Sequence, residues 1–344
     1  MKQVNWGIIG LGNIALKFAE SFKFIDNAII RGISSKDSQK LEYFKKKFQI
    51  DEKYCFADYE ELLDCNEIDI IYIALPNSLH FNWISRCIEK NKRILVEKPS
   101  TLNFSEIRTI KEKLDKKDIF FSEAFMYRFY PQILKIIEII KKKEIGDIES
   151  IESYFGHDIL SKKNLFGLKK KKKIDKNNRL FNQQLGGGAI LDLGCYPVSF
   201  SVFIASLIFK NDLENFEIIN KQKEIGETGV DIDSYLEMKF GKNFNCKLGA
   251  SFKKNIGRKT EIFGKIGKII IEDTWLGMDS KISVITKNNK EEIETKIDNN
   301  QNIYSYQIKF LSKNILDDKK KPEFPGMTFK DSLINMKIIQ EWLN

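Results

Sequence analysis

The chain begins with an apolar run, Val4-Asn5-Trp6-Gly7-Ile8-Ile9, that leads directly into Gly10-Leu11-Gly12-Asn13-Ile14-Ala15 and then a helical pattern through Phe22. No other stretch restricts the fold as tightly. A strand that closes on G-x-G-x-x-A and opens a helix is the first half of a βαβ unit, and each small residue in it has a mechanical reason. The first glycine permits the tight turn, the second lets a pyrophosphate approach the backbone, and Ala15 lets the helix lie close on the strand. Gly10, Gly12, Asn13 and Ile14 are therefore expected to line a dinucleotide at the helix N-terminus, where unpaired N–H groups favour phosphate.

The alternation of strand and helix continues. Residues 28–33 read as the second strand, with Ser34-Ser35-Lys36 at its tip. A site selective for NAD places an acid at this tip to bond the ribose 2′-hydroxyl. Here the nearest acid, Asp37, stands further out. The Ser35 hydroxyl beside the Lys36 cation suits a 2′-phosphate; an ordinary polar loop is the alternative. Residues 68–75 form an apolar strand that ends at Pro76-Asn77-Ser78, with His80 at the start of the next helix. Leu75, Pro76 and Asn77 thus fall at the carboxyl end of a parallel sheet, where ligands of open α/β folds bind, with His80 beside them at the cofactor, capping or packing locally rather than titrating in the reaction. The strand at 93–96 ends in Glu97-Lys98-Pro99, and Pro99 restricts the turn that aims Lys98.

After residue 124 the pattern changes to one dominated by strands, expected at 147–156, 216–225, 232–240, 244–253, 258–264, 267–272 and 281–286. An alternating half followed by a strand-rich half predicts an α/β chain: an N-terminal Rossmann fold with a parallel sheet plus a C-terminal α+β domain. The expected boundaries are 1–123 for the first domain, 124–326 for the second, and 327–344 for a C-terminal helix packing back on the first. Lysine-rich residues 161–178 read as a mobile insertion. Behind it, Gly186-Gly187-Gly188 opens a helical run in which Asp192 and Tyr196 are four apart and share a face. A carboxylate and a phenol presented together can do acid–base chemistry on a hydroxyl or carbonyl, or can merely bond the local backbone.

Composition narrows the partners. The net charge is +9, but lysine is spread along the chain, and no helix-turn-helix, zinc-finger or RNP pattern accompanies it. Lys169 to Lys173 read as solvated, and no nucleic-acid partner is expected. Five cysteines without a C-x-x-C spacing and two histidines predict no metal site. The apolar run at 198–209 is broken by serines and reads as too short to cross a bilayer. The N-terminus lacks a secretory pattern, so a cytoplasmic protein without a membrane partner is expected.

Taken together, Gly10 to Ala15, Ala74-Leu75-Pro76-Asn77, Glu97-Lys98-Pro99, Glu123-Ala124-Phe125-Met126-Tyr127-Arg128, Asn178-Arg179-Leu180, Gly186 to Pro197 and Pro325-Gly326-Met327-Thr328 resemble the Gfo/Idh/MocA oxidoreductase family. The glycine motif resembles most the branch of dimeric dihydrodiol dehydrogenases and NADP-dependent D-xylose dehydrogenases. The resemblance implies an NADP site, with NAD possible, in the first domain. It also implies a large, mostly antiparallel open sheet in the second, used for a homodimer or homotetramer. It implies Lys98 and Tyr196 as the catalytic pair with Asp192 beside them, and Arg128, Arg179 and Asp192 as substrate contacts. The implied substrate is a sugar, cyclitol or related polyol or diol. A nucleotide-linked sugar of surface-polysaccharide synthesis and a non-catalytic dinucleotide sensor are the alternatives; the joint presence of Lys98, Asp192 and Tyr196 speaks against the sensor. Tyr130-Pro131 stands where the family usually has His-Pro, and the lysine run at 169–173 is atypical.

If Ser35 and Lys36 receive a 2′-phosphate, Ser35→Asp should repel it. The expected result is a kcat/KM that favours NADP in the native protein and falls selectively for NADP in the variant; a native preference for NAD would refute this.

Overall fold

Parallel strands buried on both faces need continuous apolar runs, and the first third of the chain supplies them. In the computed structural model, which describes residues 2–163, 168–209, 213–276, 280–298 and 301–344, these runs become β1 (Val4–Ile9), β2 (Ala28–Ser34), β3 (Cys55–Phe56), β4 (Ile70–Ile73), β5 (Arg93–Val96) and β6 (Phe121–Glu123). Between them lie α1 (Asn13–Glu20), α2 (Ser38–Phe48), α3 (Tyr59–Asp64), α4 (Asn77–Glu89) and α5 (Phe104–Leu114). The strands pair in the order β3-β2-β1-β4-β5-β6, all parallel. The order reverses between β1 and β4, which is where such sheets open a crevice. Helix starts are marked by side chains that accept N–H groups of the first turn: Asp37 for α2, Asp58 for α3 and Asn103 for α5.

Downstream come α6 (Pro131–Lys141), β7 (Ile148–Gly156), β8 (Ser161–Lys163), β9 (Lys169–Lys171), a π-helical turn (Ile190–Gly194) running into α7 (Cys195–Phe209), and then β10 (Phe216–Ile225) and β11 (Asp231–Phe240). They are followed by β12 (Phe244–Ser251), β13 (Thr260–Gly264), β14 (Gly267–Ile271), β15 (Ser280–Thr286), β16 (Lys290–Thr295), α8 (Ile303–Leu316) and α9 (Phe329–Leu343). Eight strands form one sheet, β10-β11-β12-β7-β13-β14-β15-β16, antiparallel except where β12 meets β7. The predicted α/β chain with a parallel sheet and a large, mostly antiparallel one is therefore present. Leu236, Met238, Phe240, Cys246, Leu248 and Ala250 alternate into the core of this sheet.

The chain divides into two units, Met1–Tyr130 with Ile297–Leu333, and Pro131–Lys296 with Ile334–Asn344. Residues 297–326 thus group with the first unit and not, as expected, with the second. The reason is α8, which the sequence reading did not anticipate: Trp6 Nε1 donates to Ser312 Oγ at 3.0 Å, and Tyr304 meets Phe18 edge-on. Helix α9 was expected on the first domain and is divided. Phe329 packs against Phe121 in the first unit, whereas Trp342 is fully buried in the second and donates Nε1–H to the Tyr235 carbonyl at 3.2 Å.

Three further expectations change. The lysine-rich insertion contains a hairpin in which Lys162 faces Lys170, and its lysines are pinned by Lys169–Asp158 (2.9 Å) and Lys171–Glu227 (2.8 Å) ion pairs; residues 164–167 lie outside the described ones. Strand β16, with one apolar residue, went unread because it is a charged edge strand, held in part by Lys281–Glu292 at 2.8 Å. The run at 198–209 belongs to a helical stretch, Gln183–Phe209, that is long and apolar enough to cross a membrane (mean hydropathy 1.6). In the structure 83% of its apolar window is buried, and a helix enclosed all round is apolar all round.

Gly194 has a packing reason that can be tested. A Cβ there would stand 2.8 Å from a Trp342 ring carbon and 3.2 Å from the Ala250 Cβ. Gly194→Ala should lower stability by about 1–3 kcal/mol, the usual cost of overpacking a core. Urea unfolding measures it, and an unchanged midpoint would contradict the packing.

Candidate functional site

In the first unit the glycine turn does what its spacing requires. Gly10 has φ +86°, and a Cβ on it would lie 2.7 Å from the Ala74 carbonyl oxygen at the end of β4. Gly12 stands before the first turn of α1 with no side chain capping the helix, and a Cβ on it would meet nothing within 4 Å. Asn13 is exposed and Ile14 half-buried beside it. Among the described residues no side chain caps the first turn of α1 and the space beside Gly12 is open, which fits a dinucleotide pyrophosphate.

At the tip of β2, Ser35 Oγ accepts the Asp37 N–H at 3.1 Å. The Asp37 carboxylate accepts the Gln39 and Lys40 N–H groups, both at 3.1 Å. These bonds, Lys40 N–H first, hold its carboxyl below the usual range. The one acid near the tip is committed to capping α2. Lys36 is exposed, with its Nζ 5.9 Å over the Tyr59 ring.

At the ends of β4 and β5, Leu75 is nearly buried, Pro76 exposed, and Asn77 begins α4. Glu97 Oε1 accepts the Tyr72 hydroxyl at 2.5 Å, and Tyr72 is itself stacked on Phe18 with centroids 3.8 Å apart. Lys98, the next residue, is half-buried. His80, expected at the cofactor, is fully buried, with Nδ1 2.8 Å from the Pro99 carbonyl and Nε2 2.9 Å from the Leu75 carbonyl. It lies between the two strand ends and presents neither nitrogen outward; a neutral ring donates to one of the two carbonyls. Burial, above all, lowers its pKa. Arg128, expected on the substrate, is likewise buried and paired with Asp331 at 3.3 Å, joining the turn after β6 to the first turn of α9.

Sequence reading missed Glu123. It ends β6, is 3% exposed, and accepts the Ser100 N–H at 2.9 Å just beyond Lys98-Pro99. Burial pushes its carboxyl up to about 7; the Ser100 bond and the Arg128 charge oppose this only in part. The available signal was a lone acid closing the apolar run Phe120-Phe121-Ser122.

In the second unit the three glycines form a turn threaded between neighbours. A Cβ on Gly187 would come within 2.8 Å of the Leu180 and Arg179 carbonyl oxygens. Gly188, at φ +116°, faces the Asp231 carboxylate. The helix that follows starts as a π-turn, not the α-helix expected, and becomes α only from Cys195. Single π-turns of this kind recur at functional sites. Because the 179–182 segment docks on Gly187, Arg179 reaches Asp192: Nη1 to Oδ1 is 3.2 Å, with Arg179 57% and Asp192 14% exposed. Tyr196 is 7% exposed, its ring held against Phe155 (centroids 5.3 Å) and Trp275 (5.7 Å). The sequence contained no signal for Phe155, Trp275 or Asp231, which come from distant strands and loops. Among the described residues, no three metal-ligating side chains cluster.

A glycine turn at the head of α1, at the reversal of a parallel sheet, fits a dinucleotide site, and comparison with known proteins supplies the activity class. The family model for the Gfo/Idh/MocA oxidoreductases with NAD-binding Rossmann fold matches residues 4–125, and the model for the family's C-terminal domain matches 133–270. Trans-1,2-dihydrobenzene-1,2-diol dehydrogenase of Xenopus tropicalis is 28% identical over 98% of this chain and 96% of its own. D-xylose 1-dehydrogenase (NADP(+)) of Hypocrea jecorina is 30% identical over 57% of this chain and 52% of its own. In fold, the chain matches a 3-ketoreductase from Actinomadura kijaniata solved with NADP and TDP-benzene, at TM-score 0.79 and 18% identity over 98% and 96% of the two chains. The chain belongs to the Gfo/Idh/MocA family, and its first unit is the NAD(P)-binding domain of a dehydrogenase or reductase.

Glu123 makes a pH prediction. A carboxyl whose folded pKa is raised from 4.5 to about 7 favours the neutral form in the folded state. Its contribution to stability is present below the unfolded pKa and is lost as pH rises through about 7, on the order of 3 kcal/mol in all. Glu123→Gln lacks this loss and can still accept the Ser100 N–H. Its melting temperature should therefore gain on the native protein between pH 5 and pH 8. A constant difference would contradict the raised pKa.

Proposed function

We propose that the protein is an NADP-preferring oxidoreductase that moves a hydride between nicotinamide and a carbinol carbon of a sugar, cyclitol or related polyol or diol. The observation that carries the reading is the start of the second unit's helix, where a caged phenol, Tyr196, follows an ion-paired carboxylate, Asp192, by four residues behind a tightly packed glycine turn. The names of the relatives, a diol dehydrogenase and a xylose dehydrogenase, support the substrate class.

In this reading Gly10, Gly12, Asn13 and Ile14 hold the pyrophosphate, and Ser35 and Lys36 hold the 2′-phosphate. Leu75, Pro76, Asn77, Glu97 and Lys98 line the rest of the cofactor's crevice. Bound NADP supplies the hydride donor or acceptor. Tyr196 exchanges the proton of the substrate hydroxyl, with its ring orientation set by Phe155 and Trp275. Asp192, steered by Arg179, orients neighbouring hydroxyls. Lys98 supplies the cation that stabilises developing negative charge on the substrate oxygen. The half-buried outer face of the eight-stranded sheet, where Tyr154 and Tyr235 close over Gly249, is the surface we assign to a homodimer or homotetramer; a monomer in sedimentation would refute that assignment.

A second reading, reduction or oxidation of a nucleotide-linked sugar, is favoured by one observation. The β8–β9 hairpin sets Lys162 opposite Lys170, and like charges facing across strands are unfavourable unless an anion relieves them.

The test is NADPH formation with aldoses, inositols, trans-diols and nucleotide sugars. Turnover of neutral polyols or diols supports the first reading, and turnover of nucleotide sugars alone supports the second. Tyr196→Phe should lower kcat about 10²–10⁴-fold, the range for a lost general acid–base. Lys98→Met should lower kcat while NADP affinity changes little. Full activity in Tyr196→Phe would refute its role.

A further inference from the structure

The carboxylate of Asp231 stands at the origin of the helix that carries Asp192 and Tyr196. Asp231 opens β11, is 5% exposed, and accepts the Ile190 N–H on Oδ2 at 2.8 Å. The Ser234 hydroxyl donates to the same oxygen at 3.1 Å. Its other oxygen lies 2.3 Å from the place a Cβ on Gly188 would take, so only glycine at 188 leaves room for it. The Asp192 N–H, in turn, bonds to the Gly188 carbonyl at 3.1 Å. A side chain from a distant strand therefore occupies the position that an N-cap residue would fill locally, where a helix start favours negative charge. The local sequence supplies no such cap: Ala189 precedes the π-turn and makes no side-chain bond to it.

We propose that Asp231 is a positioning residue for Asp192 and Tyr196: by holding the first N–H of the Ile190–Gly194 turn it sets the rotation and depth of the helix that presents both side chains. The proposal rests on the roles proposed for those two residues, but concerns a different group. A π-turn adds a residue to one helical turn, so the faces that follow depend on where the turn is anchored. Two donors, the Ile190 N–H and the Ser234 hydroxyl, converge on one oxygen of this anchor beside the space left by Gly188, and together they select a side chain of aspartate length that carries an acceptor oxygen. Burial of such a group is unfavourable unless it is hydrogen-bonded, and the Ile190 N–H and Ser234 hydroxyl on Oδ2 satisfy that condition.

The experiment compares Asp231→Ala, Asp231→Asn and Gly188→Ala in the full chain labelled with 5-fluorotryptophan. Trp275 touches the Tyr196 ring, and its fluorine resonance, assigned through Trp275→Phe, reports that ring without any substrate. Asp231→Ala and Gly188→Ala should shift this resonance and lower kcat by about 10–100-fold for the substrate selected above, as misplacement by about 1 Å does. NADP affinity, a property of the first unit, should stay within about twofold. Asp231→Asn keeps an oxygen for the Ile190 N–H and should restore both the resonance and most of kcat. An unshifted resonance with native kcat in folded Asp231→Ala would overturn the proposal, as would an Asn variant no better than Ala. A shifted resonance together with a fully active Tyr196→Phe would uphold the positioning and refute instead the role given to Tyr196. Should Asp231→Ala fail to fold, Gly188→Ala against Asp231→Asn decides by the same readouts.

Discussion

The Ala74 carbonyl oxygen lies 2.7 Å from the place where a Cβ on Gly10 would be, and the Asp231 carboxylate lies 2.3 Å from the corresponding place on Gly188. Both units depend on such an approach. In the first, it brings the β1–α1 turn flush with the end of β4, so that the first turn of α1 opens at the reversal of strand order. In the second, it seats a carboxylate at the head of the central helix. A methyl group at either position would push the two elements apart, and the side chains beyond them would move with the backbone.

Buried polar groups follow the same geometry. His80 lies between the end of β4 and the turn after β5, Arg128 with Asp331 ties the turn after β6 to α9, and Glu123 accepts the Ser100 N–H two residues past Lys98. Each joins loops that would otherwise be held only by the strands they leave. Removing such groups from water is unfavourable, which for Glu123 appears as a carboxyl pushed up to about 7. They are concentrated around Lys98 and the ends of the parallel strands, where precise placement of a few atoms matters more than stability. Tyr196 is placed by different means, a cage of Phe155 and Trp275, because an aromatic ring is oriented best by other rings.

The relatives are named for diol, aldose and nucleotide-sugar chemistry, and what this chain shares with the family is the pair of matched domains, residues 4–125 and 133–270. Two features depart from the pattern expected of the family: the lysine hairpin, and Tyr130 before Pro131, which is buried.

The local sequence by itself determined most of the Rossmann half, though not β3 or α3, which are too short to show a period. Its signals are short-range: apolar runs of strand length, glycines where the backbone must turn, and Asp or Asn at helix starts. It also singled out Lys98, Asp192 and Tyr196, the residues to which we assign the chemistry, since they stand in motifs that are contiguous along the chain. Tertiary structure alone decided the rest. It assigned α8 to the first unit and divided α9 between the two, because Trp6, Phe18 and Phe121 found partners some 200 to 300 residues away. It turned His80 and Arg128 inward, since a histidine or arginine at a strand end reads the same whether it faces a ligand or a buried carbonyl. It placed Glu123 against Ser100, Trp275 against Tyr196 and Asp231 against Ile190. These contacts depend on where separate strands end in space, and no periodicity or spacing within one segment encodes that.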